Sequence, residues 1–494
     1  MCGIAGVFGK PARPDVEKML AKLVHRGPDG QGIQDLAAGT LGHSRLAIID
    51  VDGGHQPMGV EGAWIVFNGE IYNYRELANE HLTDVSLKTH SDTEVLLHLY
   101  LKYGPKCVEL LRGMFAFAIM QDDELFLARD PLGIKPLYCG NGENGYYFAS
   151  EIKALAVATN NVFEFPAGHW YHSRMGWQAY YEVVATALEI KTEAEAIQSI
   201  RTTLKDAVCL RMIADVPVGI SLSGGLDSSI IAMLASRATE HLHSFAVGME
   251  NSEDLKAARK MAEVLGTHHH ERIYTEQDML DVLPRVIYHL ESFDPALVRS
   301  AIPNYFLAEM ASQYVKVILT GEGADEIYAG YDYLSSYSSP QKLQEEMVEI
   351  TAALHNTNLQ RADRIPMAFG LEARVPFLDV RSIALGLGLP AEWKFHKDKP
   401  AKFLLREAFA QDLPEEIVNR PKQKFSVGAG SSDILAELAE HEITDDAFQT
   451  ELGRLLSRWD YELPNKEALY YYQILRKAYK DSWIFPTMGR SRSL

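Results

Sequence analysis

The chain has 494 residues, enough for roughly two to three domains of about 150 residues each, and its 47% hydrophobic and 23% charged content is that of an ordinary globular protein. A formal charge of −19 argues against nucleic acid or an anionic membrane as the main partner, because both require a basic face. Four cysteines (Cys2, Cys107, Cys139, Cys209) without C-x-x-C spacing make no disulfide framework, and no apolar run approaches the roughly 18 residues of a membrane span, so a cytoplasmic protein is expected.

The first third reads as β-rich. Short apolar stretches at residues 41–49, 64–67, 114–120 and 125–128 are bounded by Gly, Asp, Asn or Pro. Helices are expected at residues 14–24 and 92–103, the second opening on Ser91-Asp92 and stopped by Gly104-Pro105. The pattern changes after Tyr181. From Glu193 onward helical periodicity dominates, with strands expected at residues 216–222, 243–248 and 315–319. Ser252 is placed to cap a helix whose apolar face is Leu255, Ala258, Met261, Ala262 and Leu265, ending at Gly266. Strand, helix, strand in this order implies a parallel sheet with helices on its faces. No internal repeat or low-complexity tract is visible, and a boundary in the 180s separates residues 1–185 from 186–494.

Two segments carry chemistry. Cys2 becomes the amino terminus if Met1 is trimmed, and its α-amine, with a pKa of about 7.7–8.0 against about 8.5 for a thiol, is then its own base. A thiol attacking an amide carbonyl needs oxyanion donors, which Asn68-Gly69 can supply as a side-chain amide and a backbone N–H. An α-amino-acid substrate also needs a cation and an anion, and Arg45 and Asp92 suit those roles. Taken singly, Arg45 and Asp92 have an ordinary reading as surface or ion-paired groups, and Asn-Gly marks turns. Cys2 is different, because a second-position cysteine has little core to pack into.

Far along the chain, Ser223-Gly224-Gly225-Leu226-Asp227-Ser228-Ser229 follows an apolar run. A Gly- and Ser-rich turn between strand and helix cradles phosphate, since free N–H groups and the helix dipole meet an anion there. It lacks the Lys of a Walker A loop, which argues against γ-phosphoryl transfer. Asp227 within it is a candidate Mg²⁺ ligand. Thr320-Gly321-Glu322-Gly323-Ala324-Asp325-Glu326 follows the strand at 315–319, where α/β sheets bind ligands, although Gly-Glu-Gly also reads as a plain turn. His268-His269-His270 alternates faces in a strand and does not read as a metal site.

Cys2-Gly3-Ile4, His25-Arg26-Gly27-Pro28-Asp29, Arg45-Leu46-Ala47-Ile48-Ile49, Asn68-Gly69-Glu70-Ile71-Tyr72-Asn73 and Arg129-Asp130-Pro131-Leu132-Gly133-Ile134-Lys135-Pro136-Leu137 resemble the class II glutamine amidotransferase domain. The resemblance implies an α+β N-terminal-nucleophile fold, stacked antiparallel sheets between helices, that hydrolyses glutamine. It implies Cys2 as nucleophile, Asn68 and Gly69 as oxyanion hole, and Arg45 and Asp92 on the glutamine α-carboxylate and α-ammonium, with Leu46, Ala47, Ile48, Ile49 and Glu70 lining the pocket. The turn at 223–229 resembles the pyrophosphate loop of ATP pyrophosphatases, which cleave between the α- and β-phosphates.

With Gly370-Leu371-Glu372-Ala373-Arg374-Val375-Pro376-Phe377-Leu378-Asp379, Lys402-Phe403-Leu404-Leu405-Arg406 and Arg420-Pro421-Lys422-Gln423-Lys424-Phe425-Ser426, nearly the whole chain resembles the glutamine-hydrolysing asparagine synthetase family. That likeness implies a second domain of α/β type with a parallel sheet and a helical C-terminal part. ATP would lie against Ser223, Gly224, Gly225, Asp227, Ser228 and Ser229, its adenosine bordered by Leu222, Val247, Thr320 and Gly321. Asp227 and Asp325 would bind Mg²⁺, Lys422 would neutralise the α-phosphate and pyrophosphate, Glu322 would serve amide formation and Arg299 would position the acceptor. The implied reaction adenylates the β-carboxyl of aspartate, and ammonia carried internally from the first site displaces AMP. The resemblance also leaves a homodimer open.

One departure bears on the acceptor. Many family members place two threonines just before the arginine matching Arg299, whereas this chain reads Asp294-Pro295-Ala296-Leu297-Val298-Arg299. The alternative reading is therefore an amidotransferase of the same architecture acting on another carboxylate. A β-lactam-forming relative would usually lack Cys2 and carry Tyr in place of Glu322. A binding protein with a relic site would lack glutaminase turnover, and a sugar or purine amidotransferase would release no pyrophosphate.

Overall fold

The computed structural model describes residues 2–337, 339–394, 399–421 and 434–492. In chain order the first region runs β1 (Gly3–Gly9), α1 (Arg13–Ala21), β2 (Gly30–Leu36), β3 (Gly39–Arg45), β4 (Met58–Val60), β5 (Ala63–Ile71), α2 (Tyr74–His81) and α3 (Asp92–Tyr103). It continues through β6 (Gly113–Gln121), β7 (Glu124–Arg129), β8 (Tyr138–Gly142), β9 (Gly145–Ala149), α4 (Ile152–Leu155), β10 (Phe163–Glu164), β11 (His169–His172) and β12 (Gly176–Ala179). These strands form two six-stranded antiparallel sheets, ordered β10-β8-β9-β1-β3-β2 and β12-β11-β7-β6-β5-β4.

The period of two along β6 explains the stacking. Ala116, Ala118 and Met120 face Ile4, Leu41 and Phe148 of the opposite sheet, whereas Phe115, Phe117 and Ile119 face the layer of α2 and α3. Both faces of β6 are buried, so its sequence reads as an unbroken apolar run. On the outer face of the first sheet, α1 packs through Val16, Met19 and Leu20.

The second region runs α5 (Glu193–Arg211), β13 (Val218–Ser221), α6 (Leu226–Ser236), β14 (His243–Gly248), α7 (Glu253–Leu265), β15 (His268–Ile273), α8 (Glu276–Leu290) and α9 (Pro295–Ala311). There follow β16 (Val317–Leu319), α10 (Ala324–Ile327), α11 (Pro340–Ala352), α12 (Asn358–Met367) and β17 (Glu372–Arg374), then mostly helix. The five strands are parallel in the order β15-β14-β13-β16-β17. Because β14 flanks β13 on one side and β16 on the other, the C-terminal ends of β13 and β16 make a topological switch point, where such sheets open a crevice.

Local chemistry sets several boundaries. Ser91 caps α3 by accepting the Thr93 N–H, and Ser252 caps α7, which ends on left-handed Gly266. The expected strand at 41–49 stops at Arg45, because the Asp29 carboxylate takes the Ala47 N–H at 2.8 Å and turns the chain inward. The strand expected from residue 216 starts at Val218, after Pro217, which has no N–H to give a ladder. The helix expected over 14–24 ends at Ala21, and a short 3₁₀ turn, Val24–Arg26, carries Arg26 back toward Cys2. The histidines of β15 do alternate: His269 meets Glu271 and Ser244, His270 meets His243. Among the described residues no group of three His, Cys, Asp or Glu is arranged to hold a metal, and no helix is long and apolar enough to cross a membrane.

Candidate active sites

The first site lies where β1, β3 and β5 meet. The Cys2 N–H donates to Asn68 Oδ1 at 3.0 Å, and Cys2 Sγ lies 3.8 Å from the Leu46 carbonyl oxygen. Burial pushes the Cys2 thiol up. Asn68 is fully buried, and its Nδ2 has no hydrogen-bond partner among the described residues. A buried amide N–H left unmatched costs about 1–3 kcal/mol, so this group is poised for an oxygen that arrives with a ligand. Gly69 follows Asn68 on β5, opposite Phe115 of β6.

The segment Leu46-Ala47-Ile48-Ile49 forms a loop over Cys2, its first three residues buried. Arg45 fixes the next turn by donating to the carbonyls of Asp50 (2.6 Å) and Val51 (2.7 Å). Asp92, at the start of α3, accepts the Ile71 N–H at 2.9 Å. Burial, with Glu372 nearby, raises its pKa to about 6. Burial, then the neighbouring charges of Glu372 and Asp92, push Glu70 well above the usual carboxylate range. Burial also opposes ionisation of Glu372, but cations including Arg374, whose Nε lies 2.6 Å from Glu372 Oε1, outweigh it and its pKa is lowered. Of the sequence-read residues, Leu46 and Asn68 touch Cys2, and Glu70 and Asp92 belong to a buried charged group with Glu372 and Arg374 from the second region, whereas Arg45 spends its guanidinium on the next turn.

The second site is a cavity of ≈ 310 Å³ at the switch point. Ser223, Gly225, Asp227 and Ser228 line one wall, and Thr320, Gly321, Glu322 and Asp325 another. Gly224 has φ +67°, and a Cβ there would stand 2.4 Å from that of Ala257, so both conformation and space demand glycine. The two loops touch: a Cβ on Gly321 would fall 2.9 Å from the Asp227 Cβ. Ser228 Oγ accepts the Ser223 N–H at 3.3 Å, closing the turn at the head of α6. Leu222 and Val247 sit behind the cavity in the core, and Ser229 is fully buried.

Most charges lining the cavity are paired. Lys402 Nζ bridges Asp227 Oδ2 (2.5 Å) and Asp325 Oδ1 (2.6 Å). Glu322 Oε1 accepts from Arg361 Nη2 at 2.5 Å. Arg299 makes a two-pronged pair with Glu467, which also accepts the Tyr471 hydroxyl at 2.7 Å. Glu326, raised to about 7 by burial and the adjacent Asp325, accepts from Tyr331 (2.5 Å) and Asn358 (3.1 Å). Ala296 lines the cavity, whereas Leu297 is buried in the core behind it, so only one of the two threonine-replacing positions faces the space. Lys422 lies outside the described residues; Arg420 donates to the Ser223 carbonyl at 3.1 Å and pairs with Asp254 at 2.7 Å.

Sequence reasoning assigned no role to Lys402, Arg361, Arg26 or Asp363. Lys402 and Arg26 stood inside segments carrying the family resemblance, and their signal is a charged residue that folding buries. Arg361 and Asp363 lay outside those segments. Only the fold shows that α12 presents them to different sites.

Residues 1–178 match the family described as glutamine amidotransferase domain, and residues 199–342 and 335–484 match asparagine synthase. The chain is 38% identical to the probable glutamine-hydrolyzing asparagine synthetase of Schizosaccharomyces pombe, over 98% of this chain and 94% of that protein. It is 39% identical to asparagine synthetase B [glutamine-hydrolyzing] of Escherichia coli (97% and 91% covered) and 37% identical to the Zea mays asparagine synthetase [glutamine-hydrolyzing] (97% and 86%). With both sites built on one chain and both halves matched, the protein belongs to the asparagine synthase family and carries an N-terminal glutamine amidotransferase domain.

Proposed function

We propose that the protein is a glutamine-hydrolysing asparagine synthetase that adenylates aspartate with ATP, releases pyrophosphate, and amidates the adenylate with nitrogen taken from glutamine. The observation that carries this reading is the pairing of a buried thiol beside an unmatched amide donor with a carboxylate-lined crevice at a Gly-rich helix start. Two units are proposed, residues 1–185 and 186–494; the stretch from β12 to α5 contains neither strand nor helix, which supports the division.

At the first site Cys2, freed of Met1, attacks the glutamine amide, and the oxyanion that develops is met by Asn68 Nδ2 and the Gly69 N–H. Arg45 and Asp92 take the α-carboxylate and α-ammonium, and the loop 46–49 with Glu70 closes around the substrate. The ammonia released would be mostly protonated in neutral water, which favours an internal route to the second site.

There the turn 223–229 holds the phosphates, Lys422 neutralises the charge on pyrophosphate, and the adenosine borders Leu222, Val247, Thr320 and Gly321. Two carboxylates converging on one cation, with Asp227 Oδ1 lacking a hydrogen-bond partner among the described residues, fit Mg²⁺, which prefers one or two carboxylates plus phosphate oxygens. When bound, that ion supplies charge neutralisation at the phosphates. Adenylation gives a poor electrophile a leaving group; Glu322, steadied by Arg361, accepts a proton from the incoming nitrogen, and Arg299 orients the acceptor. A cytoplasmic setting suits four free cysteines, three of them buried.

Incubation with amide-¹⁵N glutamine, aspartate and ATP tests the reading. Label in the side-chain amide of asparagine is expected; label confined to free ammonia would overturn it.

A further inference from the structure

Residues 489–492 run across the mouth of the second cavity and are tied on both sides of it. The Ser491 N–H donates to Asp294 Oδ2 at 3.0 Å, and Asp294 Oδ1 at the same time caps α9, the helix that carries Ala296 and Arg299. Arg492 pairs with Glu346 and with Glu349 (2.6 Å) on α11. Two residues before the first of these anchors, Gly489 is pressed so closely on Asn356 that a Cβ would sit 2.2 Å from its carbonyl oxygen. The backbone of this strap is therefore fixed where it crosses, and Arg490, Ser491 and Arg492 all line the cavity.

Arg490 differs from the other cations around that space. Arg299 is held by Glu467, Arg361 by Glu322, Lys402 by two aspartates, Arg420 by Asp254 and Arg492 by two glutamates. Arg406 is spent on backbone carbonyls. Arg490 makes no ion pair or hydrogen bond among the described residues; its guanidinium rests on the Tyr461 ring, 4.3 Å from the centroid, and is exposed. The aromatic face orients the group and leaves its N–H fork unspent, which is the geometry that receives a carboxylate in two parallel hydrogen bonds.

We infer that Arg490 is a specificity-determining residue that binds a carboxylate of the amino-acid acceptor, delivered to the cavity by the strap. This rests on the proposed reaction and deepens it. With Arg299 already matched by Glu467, a doubly carboxylated acceptor meets in Arg490 a cation that no protein carboxylate competes for. Binding the acceptor on the strap also places it on the α9 and α11 side of the cavity, across from the phosphate loop.

Steady-state kinetics of Arg490→Ala and Arg490→Lys in the full chain test this, with ammonia as nitrogen source so that the first site is bypassed. A charged hydrogen bond to the acceptor predicts that Arg490→Ala raises the KM for aspartate by about ten- to hundredfold, with the KM for ATP and glutaminase turnover within about twofold, and that Arg490→Lys recovers part of the loss. An unchanged aspartate KM overturns the inference alone. So does an equal rise in the KM for ATP, which would mark the strap as a structural closure. A wild-type chain that makes no asparagine from aspartate and either nitrogen source overturns this inference and the proposed reaction together.

Discussion

Asp363 accepts hydrogen bonds from Arg26 at 2.8 and 3.2 Å, and the same guanidinium donates through Nε to the Cys2 carbonyl oxygen at 3.0 Å. Both side chains are buried, with Glu151 and Lys135 completing the cluster. Two residues earlier on α12, Arg361 holds Glu322 in the other cavity. Residues two apart on a helix are about 200° apart around its axis, so α12 touches the two sites with opposite faces. This helix is thus a structural element that the two sites share.

Asp363→Asn should therefore damage coordination more than chemistry. Removing one charge of a buried pair costs about 3–5 kcal/mol, so a fall in melting temperature is expected. Where the protein remains folded, glutamine-dependent synthesis should fall at least about tenfold, a loss of ~1.4 kcal/mol in transition-state stabilisation, and ammonia-dependent synthesis distinctly less. Equal losses from both nitrogen sources would show that Asp363 only supports the fold.

Cys2→Ala separates the two activities. Glutamine hydrolysis should vanish while ammonia-dependent synthesis persists, because the thiol has no part in the second cavity. Protein with Met1 demonstrably retained should show the same selective loss, since the α-amine base becomes an amide.

The Asp92 carboxyl gives the first site a pH signature. Its pKa of about 6 is raised by burial and then by Glu372, with the Ile71 and Thr93 N–H groups and Arg374 opposing the effect. In its proposed role on the substrate ammonium, Asp92 is neutral below that pH and cannot form the pair, so kcat/KM for glutamine should fall as pH drops through about 6, and Asp92→Asn should lose this limb along with most activity. The sign for stability is the reverse of the usual one. A folded pKa above the unfolded value means that ionisation costs stability, absent below the unfolded value and fully developed above about 6. Asp92→Asn should raise the melting temperature at pH 8 and leave it nearly unchanged at pH 3.5.

Glu322→Gln keeps the shape of the Arg361 contact but removes the charge. Synthesis from either nitrogen source should fall by about two orders of magnitude or more, as for loss of a general base, with glutamine hydrolysis retained. Retained synthesis would assign the proton to another group, and Glu326, raised to about 7, is the neighbour to examine.

Much of this was legible from residues alone. The helix Asp92–Tyr103 and strand His243–Gly248 fall where cap and apolar pattern put them, since both are bounded by local chemistry. Cys2 stood out as a second-position thiol and Asp227 as a carboxylate in a Gly- and Ser-rich turn, whereas Asn68 and Glu322, which read equally well as turn residues, became candidates only through their neighbours and the family resemblance. What the sequence hid is what depends on packing between distant segments. The short strands β8 to β12 carry little periodicity of their own and are held by their neighbours. Arg26 and Asp363 are 337 residues apart, Arg299 and Glu467 168 apart, and no local pattern pairs them. The strap at 489–492 is polar and looks like an ordinary tail until Asp294 and Glu349 are seen to hold it.

The most direct test of the central claim is the product balance of a single reaction containing glutamine, aspartate and ATP, followed by ³¹P NMR and amino-acid analysis. One AMP and one pyrophosphate should appear for each asparagine formed, with glutamate at least equal to asparagine. ADP and phosphate in their place, or AMP without asparagine, would contradict the account.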